Sequence, residues 1–191
     1  MKTIMIFFGL FFLSFPIHAG TVENDAEYQM ILGLMQLIPG RELPFTETKM
    51  IDVLDMSIES KGVLLLNNDG SLSRRIKSTG EVFIISDTGL SRTFAGKEKN
   101  ISFSDNPAAY HFGVALRALY TSDIETLREY FAFSLLKNND AWTLMLKTTE
   151  QSLSRILRVI TLVGKSDNLL YVETLQGNGD RVITRYSSNN K

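Results

Sequence analysis

Between residues 24 and 38 the apolar positions Tyr28, Ile31, Leu32, Met35 and Ile38 follow the i, i+3, i+4, i+7 spacing of an amphipathic helix. Asn24 or Asp25 can cap its start, and Pro39-Gly40 stops it. After that the period changes to two. The stretches 43–51, 58–68, 71–79, 81–87 and 90–96 read as five strands, and 99–104 as a short sixth. Asp87-Thr88-Gly89 supplies one of the turns between them. Residues 107–121 return to helical spacing, with Pro107 at a good first helical position and Phe112, Ala115, Leu116 and Leu119 on one face. Ser122 to Glu125 has the capping-box pattern, which predicts a short helix to about Tyr130. Strands resume over 131–136, 142–147, 158–164, 169–176 and 180–186, separated by turn letters such as Asn138-Asn139-Asp140 and Gly177-Asn178-Gly179. Short loops between consecutive strands make antiparallel neighbours. The predicted fold is therefore α+β, a large curved antiparallel sheet of about 10–11 strands with helices on one face.

Residues 1–19 stand apart from this pattern. Lys2 precedes the apolar run Ile4 to Leu13, and Ile17-His18-Ala19 is a small-residue cleavage site, so a secretory signal peptide is expected. Residues 20–191 then form a single domain of about 170 residues. The chain has no cysteine, which excludes disulfides, thiolate metal sites and a lipidated N-terminal Cys. The expected location is the periplasm. With 20 Lys and Arg against 21 Asp and Glu, both signs scattered, there is no basic stripe for nucleic acid and no polybasic membrane patch.

Candidate chemistry is sparse. His111 is the one histidine beyond the signal segment and sits in an apolar helix, without the further ligands that zinc or iron needs. Gly164-Lys165-Ser166 imitates a phosphate loop, but Val159 occupies the position of the required first glycine. Asn100-Ile101-Ser102 matches a glycosylation sequon by chance. Asp52, Asp55 and Glu59 are near in sequence, yet nothing pairs two of them across a cleft. The reading is a non-enzyme without cofactor or metal.

Organised apolar faces remain. Leu64 and Leu66 share a strand face, as do Phe83 and Ile85. Phe131 and Phe133 repeat the pattern, followed by Trp142, Leu144 and Leu146, and by Ile160 and Leu162. Such residues build either a dry core or a ligand pocket, and only volume distinguishes the two.

Several stretches taken in order resemble one known family. They are "FTETKMIDVLDMSIESKGVLLL" with its Leu54, Ile58, Ser60, Gly62 spacing, "LSRRIKSTGEVFIISDTGLS", "GVALRALYTSDIETLREYF", "WTLMLKTTEQSLSRILRVITLVG" and "VETLQGNGDRVITRY". Together they resemble the LolA family of periplasmic outer-membrane lipoprotein carriers, in particular its divergent branch associated with aryl-polyene and glycolipid clusters. The resemblance covers nearly all of 20–191 and implies an unclosed antiparallel half-barrel with a helical lid on its concave face. Acyl chains of a lipoprotein or lipid would bind between sheet and lid, for shuttling from an inner-membrane donor complex to an outer-membrane acceptor by a monomer. On that reading Phe45, Leu64, Leu66, Phe83 and Ile85 line one side of the cavity, with Leu116 and Leu119 from the lid. Phe131, Phe133, Trp142, Leu144, Leu146, Ile160 and Leu162 line the other side. Exposing a sixteen-carbon chain to water costs on the order of 12 kcal/mol, at ~0.8 kcal/mol per CH₂, so such a shuttle needs a dry concavity. The family's lid-holding arginine at the end of the second strand is replaced here by Asn67-Asn68-Asp69-Gly70, which favours a glycolipid or aryl-polyene-like cargo over a lipoprotein. The alternative is an assembly factor that docks a protein partner on the concave sheet. A hydrolase using His111 is the third and weakest reading.

Overall fold

The computed structural model describes residues 23–187, so the expected signal peptide over 1–19 lies outside the described residues. The elements are α1 (Glu23–Gly33), β1 (Glu42–Ile51), β2 (Met56–Leu66), β3 (Leu72–Ile76), β4 (Val82–Ile85), β5 (Gly89–Phe94) and β6 (Lys97–Ser102). They continue with α2 (Pro107–Thr121), α3 (Ile124–Tyr130), β7 (Phe131–Asn138), β8 (Ala141–Thr148), α4 (Gln151–Ser154), β9 (Leu157–Lys165), β10 (Asn168–Gln176) and β11 (Arg181–Tyr186).

All the strands join one antiparallel sheet in the order β6-β5-β4-β3-β2-β1-β11-β10-β9-β8-β7. The chain meanders outward from β1 to the β6 edge, and α2 and α3 then connect β6 to the opposite edge, β7. From there it meanders back until β11 pairs with β1, Phe45 opposite Tyr186 and Lys49 opposite Val182. The first and last strands thus meet in the middle, and the two edges stay apart. This is an unclosed α+β half-barrel. The β6 edge is exposed throughout and carries Lys97 and Lys99, charges that discourage pairing with another chain.

Gly62, part of the family-like spacing, has a steric task. A Cβ there would stand 2.2 Å from the Arg75 carbonyl oxygen and 2.6 Å from Cζ of Phe45. The Phe45 ring lies over its cross-strand partner Gly62 and covers the backbone that the missing side chain leaves bare.

Three local details differ from the sequence reading. α1 stops at Gly33 and not at Ile38. The chain tightens into i→i−3 bonds over Leu34 to Gln36, and the Leu37 N–H then reaches the Tyr120 carbonyl of α2 at 2.9 Å. That tertiary bond puts Leu37 into the core and leaves Ile38 56 % exposed. Second, α3 is capped by Asp123, whose carboxylate accepts from the Thr126 N–H at 3.0 Å. Ser122 instead ends α2 in the left-handed region and donates its hydroxyl to the Leu32 carbonyl of α1 at 2.8 Å.

Third, the short helix α4 was not expected. Glu150 caps it, accepting from the Leu153 N–H at 2.5 Å and from the Ser152 hydroxyl at 2.6 Å. The Ser152 hydroxyl, then the N–H groups of Leu153 and Ser152, hold the Glu150 carboxyl down from 4.5 to about 2. A carboxyl lowered by folding contributes stability that is full above its unfolded value and is lost as pH falls through its folded value. Acid titration of folding stability, followed by urea denaturation, should therefore show a loss between about 4.5 and 2 that Glu150→Gln reduces. An identical acid slope in wild type and variant would refute this.

Candidate functional site

Strand alternation sends one set of side chains toward the helices, and the register aligns that set across strands. On one half Leu66, Leu72, Ile85, Leu90 and Ile101 form a row over β2 to β6. On the other half Leu135, Leu144, Leu162 and Val172 form a row over β7 to β10, and Phe133, Leu146 and Ile160 form the next.

Two apolar clusters result. The larger joins Leu119, Phe131, Trp142, Leu144, Leu146, Ile160 and Leu162 to Tyr28, Ile31 and Leu32 of α1 and to Met35 of the turn after it, with Phe133 packed at its margin. The smaller holds Phe45, Leu64, Leu66 and Ile85, with Phe83 and Leu116 packed against it. Every sheet residue expected to line a cavity thus lies on the helix-covered face, and Leu119 and Leu116 pack into the two clusters from α2. Both clusters are packed side chain against side chain. The sequence reading did not include Leu37, Leu72 and Ile76 of the smaller cluster, or Leu153, Leu157 and Val172 of the larger. Alternation does not reach Leu157, which is out of phase with Ile160 and Leu162; the register shift at Arg158, where Val159 pairs with Leu175 but Leu157 with Gln176, brings it into the core. Nor does it reach Leu37, because its burial follows from the early end of α1.

A polar seam lies between the clusters, and single-sequence patterns carry no sign of it. Arg74 Nη2 donates to Glu47 Oε1 at 2.7 Å, with the side chains 28 % and 17 % exposed. The Thr184 hydroxyl donates to the other Glu47 oxygen at 3.4 Å. The Arg74 guanidinium also lies 4.7 Å from the centre of the Phe45 ring, a cation–π contact. Next to this pair the phenol oxygens of Tyr120 on α2 and Tyr186 on β11 are 2.9 Å apart. Burial raises both phenols, Tyr186 well above its ordinary value, so the pair is a neutral hydrogen bond from helix to sheet.

The helices are fastened by a limited set of polar ties. Gln29 Nε2 donates to the Ser122 carbonyl at 3.0 Å. Asp25 on α1 pairs with Arg128 on α3, and Glu27 on α1 pairs with Lys137 on β7 at 2.5 Å. The β2–β3 turn, where the expected arginine is absent, is closed internally. Asp69 accepts from the Ser71 N–H at 2.9 Å and its hydroxyl at 2.7 Å, while Asn67 Nδ2 reaches the hydroxyls of Ser71 and Ser73. The hydroxyl bond of Ser71 is the main cause of the lowered Asp69 carboxyl, with Arg117 of α2 adding a smaller Coulombic pull. An arginine does face this turn, then, but from the helix side.

The Asp180 turn is also tightly organised. Asp180 is buried, pairs with Lys49 at 2.9 Å and accepts from the Asp52 N–H at 3.2 Å. The Lys49 bond is the first cause of its lowered carboxyl. Of the remaining candidates, His111 Nδ1 lies 3.3 Å from the Tyr130 hydroxyl. Gly164-Lys165-Ser166 ends β9, with the Ser166 carbonyl accepting the Trp142 indole N–H at 2.8 Å. Among the described residues no group of three or more His, Cys, Asp or Glu gathers as a metal site. Among them, too, no helix is long and apolar enough to cross a membrane.

No family model and no curated protein matches the chain. Solved structures of similar architecture include a LolA superfamily protein from Nitrosomonas europaea, 10 % identical, covering 85 % of this chain and 91 % of that one at a TM-score of 0.42. An outer membrane lipoprotein-sorting protein domain from Vibrio parahaemolyticus is 12 % identical, covering 86 % of this chain and 93 % of that one at a TM-score of 0.43. A DUF1329 family protein from Desulfovibrio piger is 9 % identical, covering 85 % of this chain and 90 % of that one at a TM-score of 0.37.

Proposed function

We propose that the protein is a non-enzymatic periplasmic carrier that binds the acyl chains of a lipoprotein or lipid beneath its helices and moves them from the inner to the outer membrane. Residues 1–19 act as its signal peptide, and 20–191 as one carrier domain, working as a monomer between a membrane donor and an acceptor. One observation carries this reading. A broad apolar sheet face is covered by helices that are fastened to it and to each other through few polar ties, chiefly Tyr120–Tyr186 and Glu27–Lys137. The apolar face matches acyl chains, and helices so fastened can part and close. The packed clusters correspond to the closed, cargo-free form.

Delipidated protein is expected to bind a fluorescent fatty-acid probe at one equivalent per chain, and native mass spectrometry of freshly purified protein should show copurified lipid. Protein that binds no probe and carries no lipid would sink the carrier reading. A second reading, an assembly factor that docks a protein partner, draws on a different observation. Val53 and Leu54 at the β1–β2 turn are 83 % and 62 % exposed, and Met56 and Ile58 follow them half-exposed. It predicts protein binding without lipid binding in the same assays.

A further inference from the structure

A cavity of about 580 Å³ lies away from the helix-covered face, lined among others by Lys147, Arg155, Arg158, Val159, Leu175 and Gly177. Its floor follows from register. Lys147, Val159 and Leu175 are direct neighbours across β8, β9 and β10, one position out of phase with the buried pair Leu146 and Ile160. They therefore point to the opposite side of the sheet. The wall is a close backbone contact between the link from α4 to β9 and the turn from β10 to β11. The Gly177 N–H donates to the Ile156 carbonyl at 2.9 Å, and a Cβ on Gly177 would stand 1.8 Å from the Arg155 carbonyl oxygen. The Arg158 guanidinium donates to the Gly177 carbonyl, which anchors it at the rim.

The charge in this cavity is uncompensated. Among the described residues none of Lys147, Arg155 and Arg158 takes part in an ion pair, whereas Arg74, Arg92, Arg128 and Arg181 all do. No carboxylate is in the lining. Glu173, two residues before Leu175 on the same strand, is bound by Arg181. The two lining hydroxyls already donate to backbone, Thr148 to the Leu157 carbonyl at 2.7 Å and Ser154 to the Gln151 carbonyl at 2.8 Å. The donors available to a ligand are thus the three cations.

We propose that this cavity binds a phosphate group carried by a small ester or a lipid headgroup. Three cations lining one open pocket suit a tetrahedral oxyanion, which guanidinium forks grip with two bonds at once. The carboxylates of an acidic peptide are spread along a chain and would not converge there. Val159 and Leu175 offer an apolar seat for the carbon side of the ester. The site is separate from the apolar interior, so it stands or falls independently of lipid carriage.

Isothermal titration at low ionic strength, with inorganic phosphate and with phosphatidylglycerol/phosphatidylcholine vesicles, tests the assignment, pure phosphatidylcholine serving as blank. Phosphate or phosphatidylglycerol should bind in the wild type, and Arg155→Gln/Arg158→Gln should weaken binding about tenfold or more, the effect of deleting charge-assisted hydrogen bonds. Lys99→Gln on the remote β6 edge should leave binding unchanged. Vesicle binding lost in the double variant identifies a headgroup as the source, and phosphate binding without vesicle binding identifies a soluble ester. Circular dichroism checks folding, and Lys147→Gln replaces the double variant if that fails to fold. Binding equal in wild type and cavity variants, binding lost equally in Lys99→Gln, no binding of either probe, or binding of an acidic peptide alone would each overturn the proposal.

Discussion

Replacing Leu144 by alanine is expected to lower folding stability by about 2–5 kcal/mol. Leu144 is 0 % exposed and lies in register between Leu135 and Leu162, under the helices. Shortening it removes buried methylenes and leaves a void that rigid strands on both sides cannot close. Leu136, on the edge strand opposite Thr143 and out of phase with Leu144's partner Leu135, is 63 % exposed, and Leu136→Ala should change stability by less than about 0.5 kcal/mol. Urea denaturation of both variants measures the contrast. A midpoint for Leu144→Ala close to wild type would mean that this face is loosely filled. Ligand that binds only the folded state stabilises it by mass action, so a fatty acid that enters the clusters should restore part of the loss.

Tethering α1 to the sheet is expected to abolish uptake of an acyl-chain probe. Glu27 and Lys137 already meet across the gap between α1 and β7 at 2.5 Å, so cysteines at both positions can be joined by a short cleavable crosslinker. The chain contains no cysteine, which makes the engineered pair the only thiols. α1 contributes Tyr28, Ile31 and Leu32 to the larger cluster and the turn after it Met35, and an acyl chain cannot reach Leu144 or Ile160 while those side chains stay in place. Cleaving the tether should restore uptake. Tethered protein that takes up probe as fast as untethered protein would show that α1 does not gate the interior.

Much of the fold was legible because its elements are local. α2 runs from Pro107 to Thr121 as its spacing and its proline predict, capped by Asn106, which accepts from the Ala109 N–H at 3.0 Å. The alternating strands and their turns also appear, within a residue or two at each end except that β3 stops at Ile76, three residues short of the expected 79. The expected lining residues on the strands lie on the helix-covered side, because an alternation of two dictates which side chains travel together. Less legible were the features in which distant segments override a local pattern. The apolar spacing of α1 continues to Ile38, but the bond from Leu37 to Tyr120 ends the helix early. Ser122 has the letters of a cap, yet its hydroxyl is drawn to α1.

The sequence by itself determined the strands, the turns, the main helices and the set of apolar side chains, since each depends on residues a few positions apart. Tertiary structure alone decided where those parts meet. Glu47 joins Arg74 from 27 residues away and Thr184 from 137, and a one-residue slip of register would turn any of them to the other side of the sheet. The cations around Val159 and Leu175 likewise come from β8, β9 and the link before β9, gathered by strand pairing and a turn packed onto Gly177. Periodicity states which side chains share a face, but only pairing in three dimensions brings charges from separate segments together.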